Sequence, residues 1–203
     1  MIRSRLILYL TLGCILALGL ILQAGCGDDD PVGPEPVDGV IMPLAVGNIW
    51  RYDVYHYPSG ADPYVTYDSI VVVNDSVIGQ ELRFKVNENE WFVNRVDGLW
   101  YKPPRTSTMY LLFKYPAKLW DTWIAGISNE LGMELFARDE QVTTDAGTFS
   151  CYRYLQDRLD TDTVGVRFYW VAPDIGIVQY IQWNKEGTEM EEVGVLADFH
   201  LEE

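Results

Sequence analysis

The chain is poor in the residues that most often do chemistry. Its 203 residues include three Cys and two His. Three cysteines cannot build a dense disulfide framework, and two histidines leave little room for zinc or for a nucleophile that needs an imidazole base. Basic residues are also scarce, with 15 Lys+Arg against 30 Asp+Glu and a formal net charge of −15. Such a surface repels a phosphate backbone, which excludes routine nucleic-acid binding. The sequence holds no Gly-rich phosphate loop. It shows no strand–helix–strand alternation either, so a nucleotide-type α/β fold is out.

One long uncharged run is present, at the N-terminus. Arg3 and Arg5 precede Leu6 to Leu22, 17 residues without a charge, and Gln23-Ala24-Gly25-Cys26 comes next. A basic start, an apolar stretch just short of a comfortable span and small residues at its end are the layout of a secretory signal. Ala24-Gly25-Cys26 resembles the end of a bacterial lipoprotein signal, in which the Cys becomes the diacylated first residue of the mature chain. The position three before the Cys is usually aliphatic and here is Gln23. The alternative is an uncleaved anchor helix; in either case Arg3 and Arg5 hold the N-terminus inside and residues 27–203 leave the cytoplasm. Two acyl chains anchor a protein stably where one does not. Loss of residues 1–25 removes Arg3, Arg5 and Cys14 and no acid, leaving 13 basic and 30 acidic groups. With Cys26 lipidated, Cys151 is left alone and no intramolecular disulfide is possible.

Residues 26–39 read as the lipidated Cys and a tether. Gly27 to Gly39 has three Pro, three Gly, five acids and no aromatic, so it cannot bury enough surface to order itself. In the polyproline form it would reach about 40 Å. It is either a plain spacer or an address, since Asp28-Asp29-Asp30 resembles the surface-export signal of Bacteroidota lipoproteins. Gly27 differs from the Asp that commonly retains lipoproteins at the inner membrane, which favours the outer membrane.

Residues 40–203 read as a single all-β domain. Trp50, Tyr52 and Val54 alternate with Arg51 and Asp53; Leu82, Phe84 and Val86 with Arg83 and Lys85. Val164, Val166, Phe168 and Trp170 share a face, as do Val193, Val195, Ala197, Phe199 and Leu201. Period 2 of this kind marks half-buried antiparallel strands. Asp97-Gly98 is a strong hairpin signal, and the clusters at 87–90, 145–147 and 185–187 are further turns. About ten strands joined by short loops give a meander, predicting a strongly curved sheet or an incomplete β-barrel. Lys118 to Gly132 fits a short helix or an extended corner equally well. The runs 47–55 and 117–126 each bring a Trp into a strand after a turn.

The stretch VTTDAGTFSCYRY (142–154), together with FYWVAPDIGIVQYI (168–181), resembles a family of uncharacterised bacterial envelope lipoproteins. That family carries an Ala-Gly-Thr-Phe turn and a Tyr-Trp-x-Ala-Pro-x-x-Gly hairpin, and PLAVGNIWRYDV (43–54) resembles its start. The resemblance implies a curved sheet or half-barrel similar to the lipoprotein-carrier proteins, and it supplies no catalytic residues. Asp174 stands where the family has Gly, which predicts a different turn after Pro173. Independently of the family, Gly147 permits a positive φ and Pro173 ends the strand Val164–Val171.

No catalytic set stands out. His56 continues the Trp50 face and reads as a satisfied strand histidine, His200 as solvated, and Cys151 as a small core residue. Asp157, Asp160 and Asp162 lack the Gly and closing Glu of a calcium loop and read as a hairpin tip. Glu189, Glu191 and Glu192 read as charges blunting a sheet edge. No metal or other cofactor is expected. What remains is aromatic richness, with seven Trp, thirteen Tyr and seven Phe. Most belong in the core, but Tyr55, Tyr57, Tyr64 and Tyr110 fall on or near the other face and are the candidate ligand-binding residues. The expectation is therefore a non-enzymatic envelope protein, lipid-anchored at Cys26 and sited at the outer membrane. It would bind a lipid, a glycan or a protein in the concavity of its sheet. The alternatives are a structural adaptor in a surface assembly and a hydrolase.

Overall fold

Alternation of apolar and polar residues becomes twelve antiparallel strands. The computed structural model describes residues 39–126, 131–158 and 165–202, all within one compact unit, Pro36–Glu203. The signal, Cys26 and the tether to Asp38 lie outside the described residues, as do Asp160, Asp162 and Val164. The strands are β1 (Ile49–His56), β2 (Tyr64–Ile78), β3 (Glu81–Val86), β4 (Glu90–Arg95), β5 (Gly98–Lys102) and β6 (Tyr110–Lys114). After a corner come β7 (Thr122–Ile124), β8 (Leu131–Thr144), β9 (Gly147–Arg158), β10 (Arg167–Ala172), β11 (Gly176–Trp183) and β12 (Met190–His200). They form one sheet in the order β6-β5-β4-β3-β2-β1-β12-β11-β10-β9-β8-β7.

The sheet is a meander with one long-range join, β1 beside β12, and it curls into a nearly closed barrel with a single seam between β6 and β7. The expected curved sheet is thus present, with twelve strands in place of about ten. The three residues of β7 are too few for an alternating pattern to register. Side chains span the seam. Trp123 Nε1 donates to Leu111 O at 3.0 Å and Tyr154 Oη donates to Lys114 O at 2.9 Å. Two carbonyls of an edge strand, which would otherwise be a template for foreign strands, are thereby occupied.

Side chains fill the interior over its whole girth. Trp50, Tyr52, Val72, Val86, Leu99, Phe113, Leu135, Tyr154, Val171 and Leu196 are all buried in one cluster. Ile41 and Met42 close one end, where several polar groups pair with the backbone. Trp50 Nε1 donates to Ile175 O at 2.6 Å, Asn48 Nδ2 to Pro43 O, and Glu202 N to Asn48 Oδ1.

Three local readings need correction. First, Val193 and Val195 do not share the Phe199 face. The register slips opposite Arg51/Tyr52, leaving Ala197 without a partner, so Gly194 and Leu196 point inward and Val193 sits opposite Tyr55 on the outside. Second, Phe168 and Trp170 lie on the outer face, because Tyr169 and Val171 pack against the core. Third, β12 lies between β1 and β11, so Glu189, Glu191 and Glu192 do not guard an edge. In the turn after Pro173, Asp174 adopts φ 60°, the conformation glycine favours, and its Oδ1 accepts the Val40 N–H at 3.0 Å. Aspartate enters that region more readily than a bulky side chain does. Around 118–132 the described residues form a corner and a strand, with no helix.

Candidate functional site

Two surfaces merit comparison: the open mouth of the barrel and a groove on its outside. At the mouth, the pairing of β1, β12, β11, β10 and β9 aligns His56, Glu192, Gln182, Arg167 and Gln156 in one inward row. Arg167 donates from Nε to Gln182 Oε1 at 2.8 Å and from Nη1 to Tyr169 Oη at 3.4 Å, and its Nη2 lies 3.9 Å from Glu192. Its guanidinium sits 5.2 Å from the Tyr180 ring centre. Tyr169 Oη passes the chain on to Gln156 Oε1 at 3.3 Å. Burial works against the Arg167 charge, but Tyr169 and Glu192 outweigh it and hold the guanidinium charged. Burial and then Glu192 push the Tyr180 hydroxyl up, and burial and then Glu90 do the same to Tyr101, so both stay protonated. Gly194 makes room for this arrangement, since a Cβ there would collide with the Tyr180 ring.

His56 belongs to the same network. Its Nε2 lies 2.8 Å from Thr66 Oγ1, its Nδ1 lies 3.4 Å from Glu192, and its ring stacks on Tyr64 at 4.6 Å. A cavity of about 470 Å³ at the rim is lined by His56, Tyr57, Tyr64, Arg167, Glu191 and Glu192 among others.

The groove lies on the outer face of β7 to β10. A register slip between Leu135 and Ala137 leaves Phe136 without a ladder partner, and its ring meets Phe168 at 6.0 Å and Trp120 at 5.4 Å. Trp170 is next to Phe168 at 6.2 Å. Arg153 stands among these rings, 4.6 Å from the centre of Phe136 and 5.8 Å from Phe168 and Trp170. Glu140 clamps the cluster by accepting from Trp170 Nε1 at 2.7 Å and pairing with Arg153 at 3.3 Å. Trp120 is 61% exposed, and its φ is 69°. That conformation is an outlier for a bulky side chain. Its N–H is tied to Leu135 O at 2.8 Å and Leu135 N–H to Asp121 O at 3.0 Å. Asp121 in turn accepts from Lys114 Nζ at 2.7 Å and from Lys118 N. Beside the cluster lies a cavity of about 430 Å³, lined by Thr122, Ile124, Gly132, Glu134, Leu155 and Asp157 along with parts of Trp123 and Met133. Gly132 pairs with both Ile124 and Asp157, so a missing side chain opens that space.

No protein-family model matches the chain, and no curated protein does. Two solved structures are similar to it in shape. One is a protein of Bacteroides fragilis assigned as exported and described as having a YmcC-like fold, with 15% identity and a TM-score of 0.49. It aligns over 80% of this chain and 100% of its own. The other, assigned as a lipoprotein of Parabacteroides distasonis, shows 15% identity and a TM-score of 0.45 over 80% of this chain and 99% of its own.

The structure does not gather the four candidate tyrosines. Tyr57 and Tyr64 meet at the rim cavity. Tyr55 is on the outer face opposite Val193, and Tyr110 pairs with Tyr101 across β5 and β6. The groove residues were missed because Phe168 and Trp170 read as a buried face and the Phe136 bulge has no sequence signature. The exposed Trp120 had one available signal, its place at a corner between Lys118 and Asp121. Cys151 is buried under Trp170 in a small outer cluster with Val142, Ala172 and Val178. Burial, then Glu140, push its thiol up to about 12, which leaves it unreactive at neutral pH. Among the described residues no group of three His, Cys, Asp or Glu is placed to hold a metal.

Proposed function

We propose that this is a lipid-anchored, non-catalytic protein of the bacterial cell envelope that holds a partner molecule in the outer groove of its barrel-like domain. The anchor reading rests on Arg3, Arg5, the Leu6–Leu22 run and Ala24-Gly25-Cys26, with Gly27 favouring the outer membrane. The binding reading rests on one observation: Trp120 is held in solvent at a strained backbone position, over aromatic rings and beside an open cavity. The interior, where an acyl chain would have to lie, is filled with side chains. That filling favours a surface outside the core.

Cys26→Ser in fractionated cells tests the anchor: the variant should leave the membrane fraction. A photoreactive residue at position 122 tests the surface. It should form adducts in whole cells that disappear when Trp120 is changed to Ala, and adducts indifferent to Trp120 would end this reading.

A second reading is favoured by the Thr66–His56–Glu192 order at the rim, which matches a hydroxyl, a base and an orienting acid. Ester hydrolysis that disappears in Thr66→Val would establish it, and equal turnover in that variant would remove it.

A further inference from the structure

The ligand class can be read from what the groove offers and what it rejects. We infer that the groove binds the apolar face of a neutral pyranose, presented as part of a longer glycan. This rests on the groove being the binding surface. The platform is Trp120, whose indole is exposed but fixed by its edge-on contact with Phe136 and by the backbone bond to Leu135. A ring immobilised in that way offers a flat face at little ordering cost, which suits the C–H face of a sugar.

The cavity beside the platform adds acceptors. Glu134 and Asp157 line it together with Thr122, and carboxylates accept hydroxyl hydrogen bonds strongly. Its volume of about 430 Å³ lies in the range of small-molecule sites. Charge then narrows the choice. Two carboxylates, on a chain with net charge −15, oppose a fatty-acid carboxylate, a phosphate headgroup or a uronate. A purely apolar chain would cover Glu134 and Asp157 without giving them a donor, which is costly. A cation finds no vacancy at the rings behind the platform, since the Arg153 guanidinium already stands over Phe136, Phe168 and Trp170. A molecule with an apolar face, a rim of hydroxyl donors and no charge meets all of these conditions.

The test is native affinity electrophoresis of the full chain in detergent. The gels contain hydroxyethyl cellulose, galactomannan or dextran, with polygalacturonate as the anionic comparison. At least one neutral polysaccharide should retard the protein fivefold or more relative to polygalacturonate. Trp120→Ala and Glu134→Gln should each remove most of that retardation, with unchanged thermal melting showing that both variants fold. Tyr64→Ala, at the mouth, should leave it intact. Unretarded migration in every neutral gel, or equal retardation of Trp120→Ala, overturns the inference. Should the neutral gels fail while Trp120-dependent adducts to an envelope protein persist from position 122, the carbohydrate class falls and the binding surface stands. If Trp120→Ala changes neither assay, both fall.

Discussion

The mouth and the groove are built from similar residues, yet they treat them in opposite ways. Each has an arginine among aromatic rings and carboxylates. At the mouth, Arg167 bonds Gln182 and Tyr169 and faces Glu192, Tyr169 passes the chain to Gln156, and Gly194 leaves a recess filled by the Tyr180 ring. Polar atoms there are matched to one another, and the result behaves as a plug for one end of the barrel. In the groove, Glu140 ties Arg153 down, while Arg153 Nε is buried without a partner and Trp120 stands in water at a φ most residues avoid. A satisfied network contributes stability, whereas strain and exposure persist where something other than stability is being served. On the proposed function, the contrast gives structure to the mouth and recognition to the groove.

The hardest test of that division is to crowd the mouth. Gly194→Val would drive a side chain into Tyr180, and overpacking of this kind costs roughly 3 kcal/mol. For a domain of this size the melting temperature should fall on the order of 10 °C. Removing the central cation comes next. Arg167→Met deprives Gln182, Tyr169 and Glu192 of their donor and should cost about 1–2 kcal/mol in chemical denaturation. Melting indistinguishable from wild type in both variants would show that the mouth is no structural plug.

The groove predicts the opposite sign. Trp120→Gly removes an exposed ring and puts at φ 69° the residue that adopts that region freely. Stability should be unchanged or rise by up to about 1 kcal/mol, while groove binding is lost. A large loss of stability would make Trp120 a structural residue and collapse the comparison.

What could be read from the amino-acid order differs between the two places for a physical reason. The curved meander was legible in alternation and turn chemistry, because strand faces and Asp-Gly or Ala-Gly turns are local properties of the chain. His56 was placed correctly on the Trp50 face, since β1 runs without a slip against β2. The groove depends on slips. The unpartnered Phe136 and the register shift at Trp170/Val171 bring outward rings together from strands that period 2 treats as ordinary. The same holds for Val193 and Val195, moved outward by the Ala197 bulge. Two alike runs also diverge: Trp50 enters β1 fully buried, while Trp120 stops at the corner before β7, exposed. Contacts across the β6–β7 corner accompany that difference, the Lys114–Asp121 pair and the Trp123 bond to Leu111.

That corner supplies the smallest expected effect and the finest distinction. Hydrogen bonding from Lys114, opposed by some burial and helped by the Lys118 N–H, holds the Asp121 carboxyl below its ordinary 3.8. A carboxyl lowered on folding contributes stability that is present above its unfolded value and disappears as pH falls through the folded one. Asp121→Asn should therefore melt below wild type at pH 7, by about 0.5 kcal/mol, and the gap should close as the pH drops from about 4 toward 2. Because the carboxylate's bonds to Lys114 Nζ and Lys118 N brace the corner next to Trp120, indole fluorescence at the groove should shift over the same interval. At the mouth the Tyr180 and Tyr101 hydroxyls are pushed upward and stay protonated over that interval. An acid transition in the Trp120 signal that precedes global unfolding would separate the two surfaces within one titration, and a single shared transition would join them.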